Sequence, residues 1–134
     1  MLLVDDDPVI LRLLEVNFRL DGFEVSTASH GEEALTRARE GRPDAMVLDV
    51  MMPGLDGYEV AKRIRADAEL AGIWLVFLTA RTGDDDRLLD FDLDDVGKVM
   101  KPFDPIALVQ LVRSHVRGRA ADEGEAAGGG EAPT

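Results

Sequence analysis

The sequence predicts a doubly wound α/β domain built on a five-stranded parallel sheet. Strand patterns and helix patterns alternate along the chain, as they do in proteins made of successive β-α units. Three of the five strand segments are apolar at nearly every position, which is typical of parallel strands that helices cover on both faces. Glycine, proline and acidic residues separate the segments and mark where each one starts or stops.

The elements follow one another in a fixed order. The five strands are expected at residues 2–4, 23–28, 45–49, 73–80 and 96–100. The five helices are expected at residues 8–22, 29–41, 57–67, 82–93 and 104–118. Asp7 as N-cap, with Pro8 in the first helical position, predicts the start of the first helix. Ser29 and Glu32 have the spacing of a capping box and predict the start of the second helix.

Composition limits the classes of function that the chain can have. Its 134 residues form one domain, and the absence of cysteine excludes disulfides and thiolate chemistry. A metal would have to be held by oxygen or by the two histidines, and oxygen ligands favour a hard cation such as Mg²⁺. The formal charge of −12 opposes direct binding to nucleic acid. No apolar stretch approaches the roughly 18 residues of a membrane span and no leader precedes the first strand, so we expect a cytoplasmic protein without direct membrane contact.

Polar side chains follow four of the predicted strands at their carboxyl ends. Asp5 and Asp6 follow the first strand, Asp49 ends the third, Thr79 lies at the end of the fourth, and Lys101 follows the fifth. Ligands of doubly wound sheets bind beyond these ends, so we expect the five side chains to converge. Three carboxylates repel one another unless a cation lies among them, and Mg²⁺ suits such a site. A lysine in the same pocket would meet an anion, for which a phosphoryl group is the natural candidate.

At this point the chain resembles a known family. The motifs LVDDDP, VLDVMMPGLDGYEV, LTA and KPF, in this order, are similar to those of the receiver domain of two-component response regulators. The resemblance covers about residues 1–118 and implies a flavodoxin-like fold with strand order 2-1-3-4-5. Residues 119–134 are small, acidic and glycine-rich, and we expect them to form a disordered tail or linker.

The resemblance also implies a role for each site residue. Asp49 would accept a phosphoryl group from a phosphohistidine of a sensor histidine kinase or a phosphotransfer protein. Asp6 and Asp49 would bind Mg²⁺ directly, Asp5 through water, and the backbone carbonyl of Met51 would supply a further oxygen.

The phosphoryl group itself would meet two other residues. Thr79 would donate a hydrogen bond to it and Lys101 would pair with it. The resemblance further implies a cis bond between Lys101 and Pro102, consistent with proline being the usual site of cis peptides.

The function that this implies is a phosphorylation-dependent switch that signals by binding a downstream protein target. Such a domain is not an enzyme in the usual sense, because it catalyses only its own phosphorylation and dephosphorylation. No effector domain follows Gly118, so a single-domain regulator is expected, and pairing of two copies through the fourth and fifth predicted helices stays open.

Three alternatives are weighed against this interpretation. A receiver fold could act as an interaction module without phosphoryl transfer, but the complete set of acids, threonine and lysine argues against that. The chain could be the receiver part of a DNA-binding regulator, which a helix-turn-helix in a longer gene product would reveal. A haloacid dehalogenase-like phosphatase would need a second acid two residues after Asp49, where this chain has Met51.

Some residues depart from the family pattern. Lys98 stands where many receivers have an aromatic side chain whose rotation reports phosphorylation, so the pocket is better supported than the switch. Met51 and Arg81 occupy the positions that line the approach of the hydrolytic water. Because Met51 cannot orient water well, we expect the phosphorylated form to be long-lived.

Overall fold

The structure, a computed structural model, describes residues 1–79, 91 and 96–128, with residues 117–128 described by their backbone alone. The strands are β1 (Leu2–Val4), β2 (Ser26–Ala28), β3 (Ala45–Asp49), β4 (Trp74–Thr79) and β5 (Val96–Met100). The helices in these ranges are α1 (Pro8–Leu20), α2 (Gly31–Gly41), α3 (Gly57–Ala66) and α4 (Pro105–Gly128). All neighbouring strands run parallel in the order β2-β1-β3-β4-β5, which confirms the predicted fold class and strand order.

The sheet is covered on both faces by two separate apolar layers. Phe18 of α1 and Val112 of α4 pack with Val76 of β4 on one face. Ile64 of α3 packs with Phe77 of β4 on the other face. Successive side chains of a strand point to opposite faces, so β4 serves both layers and is buried throughout. This double coverage explains why the central strands are apolar at nearly every position.

Two predicted boundaries near the amino end are wrong by a few residues. β2 spans residues 26–28 rather than 23–28, because β1 is three residues long and its register with β2 begins at Leu2 and Ser26. The N-cap of α2 is His30, whose Nδ1 accepts a hydrogen bond from the backbone N–H of Glu33 at 3.2 Å. The Glu33 carboxylate in turn accepts from the backbone N–H of Ser29 at 2.8 Å. The predicted capping box of Ser29 and Glu32 is therefore displaced by one residue, because α2 begins at Gly31.

The second half of the chain differs from the prediction mainly at its end. The fourth predicted helix, at residues 82–93, lies outside the described residues except for Phe91. Asp104 caps α4, as its Oδ1 accepts from the backbone N–H of Ile106 at 2.9 Å. The helix was expected to end near Gly118, but its backbone continues to Gly128, through residues for which disorder was expected. Alanine and glutamate, which are frequent there, are strong helix formers. The boundary at residue 118 between domain and tail stays a prediction.

The amino end of β4 carries an aromatic stack. The rings of Trp74 and His115 lie parallel, with 3.9 Å between their centroids and 9° between their planes. A Cβ atom added to Gly97 of β5 would lie 3.1 Å from the Trp74 ring, so the neighbouring strand also approaches the indole closely. This stack fixes α4 against the end of the sheet opposite to the carboxyl ends of the strands.

A search of the described helices finds no segment with the length and apolar character needed to cross a membrane.

Candidate functional site

Three aspartates meet where β1 and β3 end. Asp5 follows β1, Asp49 is the last residue of β3, and their exposed fractions are 0% and 3%. Asp6 is exposed beside them. One ligand oxygen from each of the three carboxylates lies within 4.8 Å of the other two. The structure thus brings together the three side chains predicted to bind a metal, and we call them the acidic cluster.

The sheet register and two backbone donors position the buried carboxylates. Val4 of β1 pairs with Leu48 of β3, so Asp5 and Asp49 follow their strands at the same level. The backbone N–H of Asp7 donates to Asp5 Oδ1 at 2.9 Å, and that of Met51 donates to Asp49 Oδ1 at 3.1 Å. Both bonds come from the residue two positions later, so each turn after its strand orients the acid that precedes it.

Lys101 supplies a cation to the acidic cluster. Its Nζ lies 3.4 Å from Asp5 Oδ2 and 3.4 Å from Asp49 Oδ1. Its backbone N–H donates to the Thr79 carbonyl at 2.8 Å, which continues the pairing of β4 and β5 beyond the strand ends. The peptide bond from Lys101 to Pro102 is cis, as the resemblance implies. Among the described residues, one ammonium faces three carboxylates, which leaves an excess of negative charge that a bound cation would balance.

The environment of Asp49 disfavours its charged form. Burial, assisted by the charge of Asp5, raises the pKa of Asp49 to about 6, although the Met51 N–H and the Lys101 ammonium oppose this shift. The carboxylate is therefore mostly ionised at neutral pH while its negative charge is poorly solvated. This is the state expected of a group that attacks an electrophile or binds a metal.

Thr79 presents a buried hydroxyl that no other described residue partners. Its side chain is 4% exposed, and its Oγ1 atom is buried with no hydrogen-bond partner among the described residues. Leaving a buried hydroxyl unpaired costs about 1–3 kcal/mol. An acceptor oxygen of a ligand at the end of β4 would remove this cost.

The loop between β3 and α3, residues 50–56, joins the acidic cluster to the next helix. The backbone N–H of Val50 donates to the Leu78 carbonyl at 3.1 Å, which holds the start of the loop against β4. At its end, a Cβ atom added to Gly57 would lie 2.4 Å from the Asp49 carbonyl oxygen, so only glycine allows this approach. Met51 is 70% exposed at the rim, and its carbonyl as a metal ligand stays a prediction.

An aromatic cluster behind Thr79 was missed by the sequence reasoning. Phe77 precedes Thr79 by two residues, so both side chains lie on one face of β4. The Phe77 ring centroid lies 5.2 Å from those of both Tyr58 and Phe91. These three residues come from separate segments of the chain, so no spacing of residues along the sequence indicates the cluster. Lys98, which pairs in register with Phe77, is exposed; Arg81 lies outside the described residues.

Two relatives show how this chain compares with characterised regulators. It is 42% identical over 123 residues to the DNA-binding response regulator MtrA of Mycolicibacterium smegmatis, covering 92% of this chain and 52% of that protein. It is 44% identical over 122 residues to the transcriptional regulatory protein PrrA of Mycobacterium leprae, covering 90% of this chain and 51% of that protein. The chain thus spans about half the length of the curated relatives it matches.

Solved structures of receiver proteins have the same fold. The chemotaxis protein CheY4 of Vibrio cholerae superposes with a TM-score of 0.76 at 30% identity, over 84% of this chain and 94% of that chain. A putative response regulator from Chloroflexus aurantiacus gives a TM-score of 0.76 at 36% identity, over 84% of this chain and 93% of that one.

The model of the response regulator receiver domain family matches residues 1–113. This match includes the acidic cluster, Thr79 and Lys101. With the parallel sheet order and the similarity to known response regulators, it establishes that the chain belongs to the family of response regulator receiver domains.

Proposed function

We propose that this receiver domain is a phosphorylation-controlled switch with Asp49 as its phospho-acceptor. One observation carries the proposal: the buried Asp49 carboxylate lies within the acidic cluster and 3.4 Å from the Lys101 ammonium. The residues proposed as metal ligands, as nucleophile and as cation for an anionic substrate are thus close together. Two-component receiver domains are signalling proteins rather than classical enzymes. The reaction proposed for this chain is confined to its own phosphorylation and dephosphorylation.

The donor set of the acidic cluster fits Mg²⁺. The three side chains that would bind the metal are carboxylates, and their charge exceeds that of the one ammonium found beside them in the described part of the chain, which favours a hard divalent cation. Asp6 and Asp49 would bind it directly, Asp5 through water, and the Met51 carbonyl would supply another oxygen. When bound, Mg²⁺ would neutralise the acids and withdraw charge from the phosphoryl oxygens.

Phosphoryl transfer would begin from a phosphohistidine of a sensor histidine kinase or a phosphotransfer protein. An ionised oxygen of Asp49 attacks phosphorus, and the new O–P bond forms as the N–P bond of the donor breaks. The imidazole nitrogen keeps the electron pair of the broken bond and takes a proton from solvent. The product is an aspartyl phosphate on Asp49 and a neutral histidine on the donor.

Lys101 and Thr79 would bind the group after transfer. The Lys101 ammonium already forms an ion pair with the acceptor carboxylate, so it can follow the charge from the carboxylate onto the phosphoryl oxygens. The Thr79 hydroxyl, which has no partner within the described part of the chain, would donate to one of these oxygens and thereby link the phosphorylation state to the position of the Thr79 side chain. We place this switch in the cytoplasm, where it would bind a downstream protein target.

A second candidate function is favoured by the relatives. MtrA is described as a DNA-binding response regulator, and this chain spans about half of it. The chain would then be the receiver part of a DNA-binding regulator, and phosphorylation would control an effector domain of the same protein. Reading the complete gene product for a helix-turn-helix distinguishes this function from signalling to a separate protein.

The primary test uses intact mass spectrometry. Incubating the protein with Mg²⁺ and a small phosphodonor should add the mass of one phosphoryl group, and chelation of the metal should prevent the gain. Asp49→Asn should remove the modification, whereas Asp44→Asn, which changes an exposed aspartate outside the cluster, should retain it. Full modification of Asp49→Asn would contradict the assignment.

A further inference from the structure

We propose that Gly31, the first residue of α2, is a positioning residue for phosphoryl transfer at Asp49. Gly31 belongs to none of the motifs that predict the site, and it lies on a helix that provides no side chain to the acidic cluster. The inference rests on the proposed function, since it concerns how the acceptor is held in place.

Gly31 touches the backbone of the β3–α3 loop. A Cβ atom on this residue would lie 2.4 Å from the carbonyl oxygen of Leu55 and 2.9 Å from Leu55 Cβ. Neither atom can rotate away, because one belongs to the backbone and the other is attached to it. Real Cβ contacts essentially never fall below 3.0 Å, so α2 or the loop would have to move by at least about 0.6 Å.

The loop is the element that would yield. The start of α2 is fixed by the His30 and Glu33 caps and by the buried residues Ala34 and Leu35. The loop contains the exposed residues Pro53 and Gly54 just before Leu55. Residues 53–56 are exposed or half-buried, whereas Gly31, Ala34 and Leu35 of α2 are buried, so this end of the loop is the less tightly packed side of the contact.

A displacement of Leu55 would reach the acceptor through two residues. Asp56 follows Leu55 and caps α3, with its Oδ1 accepting from the Glu59 backbone N–H at 3.0 Å. Gly57 comes next and lies against the Asp49 carbonyl, at the close approach that only glycine allows. Two glycines thus connect α2 to the backbone of the acceptor by direct contacts, first Gly31 to Leu55 and then Gly57 to Asp49.

The expected effect of Gly31→Ala is kinetic as well as structural. A misplacement of about 1 Å in a reacting group can lower a rate by about a hundredfold, so a shift of this size should reduce phosphorylation by at least about tenfold. The affinity for Mg²⁺ should also fall, since Asp49 and Met51 are proposed ligands. Gly41→Ala is the matched control, because it places the same methyl group in the same helix with nothing within 4 Å.

The experiment compares the wild type, Gly31→Ala and Gly41→Ala. It measures the phosphorylation rate at saturating Mg²⁺, the Mg²⁺ dissociation constant by calorimetry, and the amide chemical shifts of Asp49 and Met51 without metal. Urea unfolding of each protein reports how much of it is folded. We expect slower phosphorylation, weaker Mg²⁺ binding and displaced amide shifts in Gly31→Ala alone.

Each result decides the inference. If Gly31→Ala is folded and matches the wild type in rate, affinity and amide shifts, Gly31 does not position the acceptor. If Gly31→Ala does not fold in buffer alone, the same measurements are made on it and on the wild type in sucrose, which favours the folded state; a wild-type rate and Mg²⁺ affinity in the folded variant would overturn the inference. If the wild type itself accepts no phosphoryl group, the proposed function fails, while the Mg²⁺ affinities and amide shifts still test the positioning role.

Discussion

Replacing Asp49 by asparagine should stabilise the metal-free protein at neutral pH, although it should abolish phosphorylation. The ionised carboxylate is buried beside Asp5, and this environment raises the pKa of Asp49 from the ordinary 3.8 to about 6. An asparagine oxygen can still accept the hydrogen bond of the Met51 N–H, and the neutral amide removes the repulsion from Asp5. The charge of Asp49 thus lowers the stability of the metal-free protein, and the proposed chemistry requires that charge.

The size of the expected stabilisation follows from the pKa shift of Asp49. A difference of about two pKa units corresponds to about 3 kcal/mol between the protonation states. Loss of the attraction to Lys101 offsets part of this, so the free energy of unfolding should rise by about 1–3 kcal/mol at pH 7.5.

The direction of the pH dependence of stability depends on whether the folded or the unfolded protein holds the proton of Asp49. Between pH 3.8 and about 6 the folded wild type keeps a proton on Asp49 that the unfolded chain has released. Its stability therefore falls as pH rises through this window, and the full cost is present above it. The advantage of Asp49→Asn should accordingly be largest at pH 7.5, decrease by about 1 kcal/mol at pH 5, and vanish below both pKa values.

The assay is urea unfolding of both proteins at pH 5 and pH 7.5 with a chelator present, followed by circular dichroism. Asp44→Asn, the same substitution at an exposed aspartate outside the acidic cluster, serves as the control. A variant that is less stable than the wild type at pH 7.5, or a difference that is the same at both pH values, would refute the argument from burial and repulsion. Added Mg²⁺ should stabilise the wild type more than Asp49→Asn, because the metal binds the folded state alone.

Two further predictions concern the groups around the acceptor. Lys101→Met should raise the pKa of Asp49 further, because it removes an opposing ammonium 3.4 Å away. It should also lower the phosphorylation rate by about 10²–10³-fold. A pH-rate profile measures both effects, and an unchanged profile contradicts them. Met51→Asn should shorten the lifetime of the phosphorylated form several-fold, because an amide at this 70% exposed rim position can orient water where a thioether cannot. Loss of the phosphoryl mass over time measures this lifetime, and equal decay in both proteins would show that Met51 does not limit hydrolysis.

The sequence predicts the sheet and the residues that meet at the site because both depend on local patterns. Apolar runs identify the central strands, and the convergence of Asp5, Asp49 and Lys101 follows from the rule that parallel strands end at one edge. The cap of α2 and the length of β2 could not be obtained in this way. The length of β2 depends on its pairing with the three-residue β1, a tertiary feature that its own residues do not encode, and the cap lies at His30 because α2 begins at Gly31.

The end of α4 shows a different limit of the sequence reasoning. Low complexity and negative charge favoured disorder after residue 118, whereas the helix propensity of alanine and glutamate favoured continuation of the helix. Both arguments use the same residues, and composition alone does not decide between them. The contact of Gly57 with Asp49 likewise became apparent only from the position of α3, although the glycine itself stands in a quoted motif.

The stack of Trp74 on His115 determines what optical experiments on this protein can observe. Trp74 is the only tryptophan of the chain and lies five residues before Thr79 on the same strand, or about 16 Å from it at 3.3 Å per residue. Its emission will therefore respond when α4 separates from the sheet during unfolding, but hardly when a small anion binds at the opposite end. A fluorescent readout of phosphorylation needs a second chromophore, and the exposed position of Met100, next to Lys101, is a suitable place to introduce it.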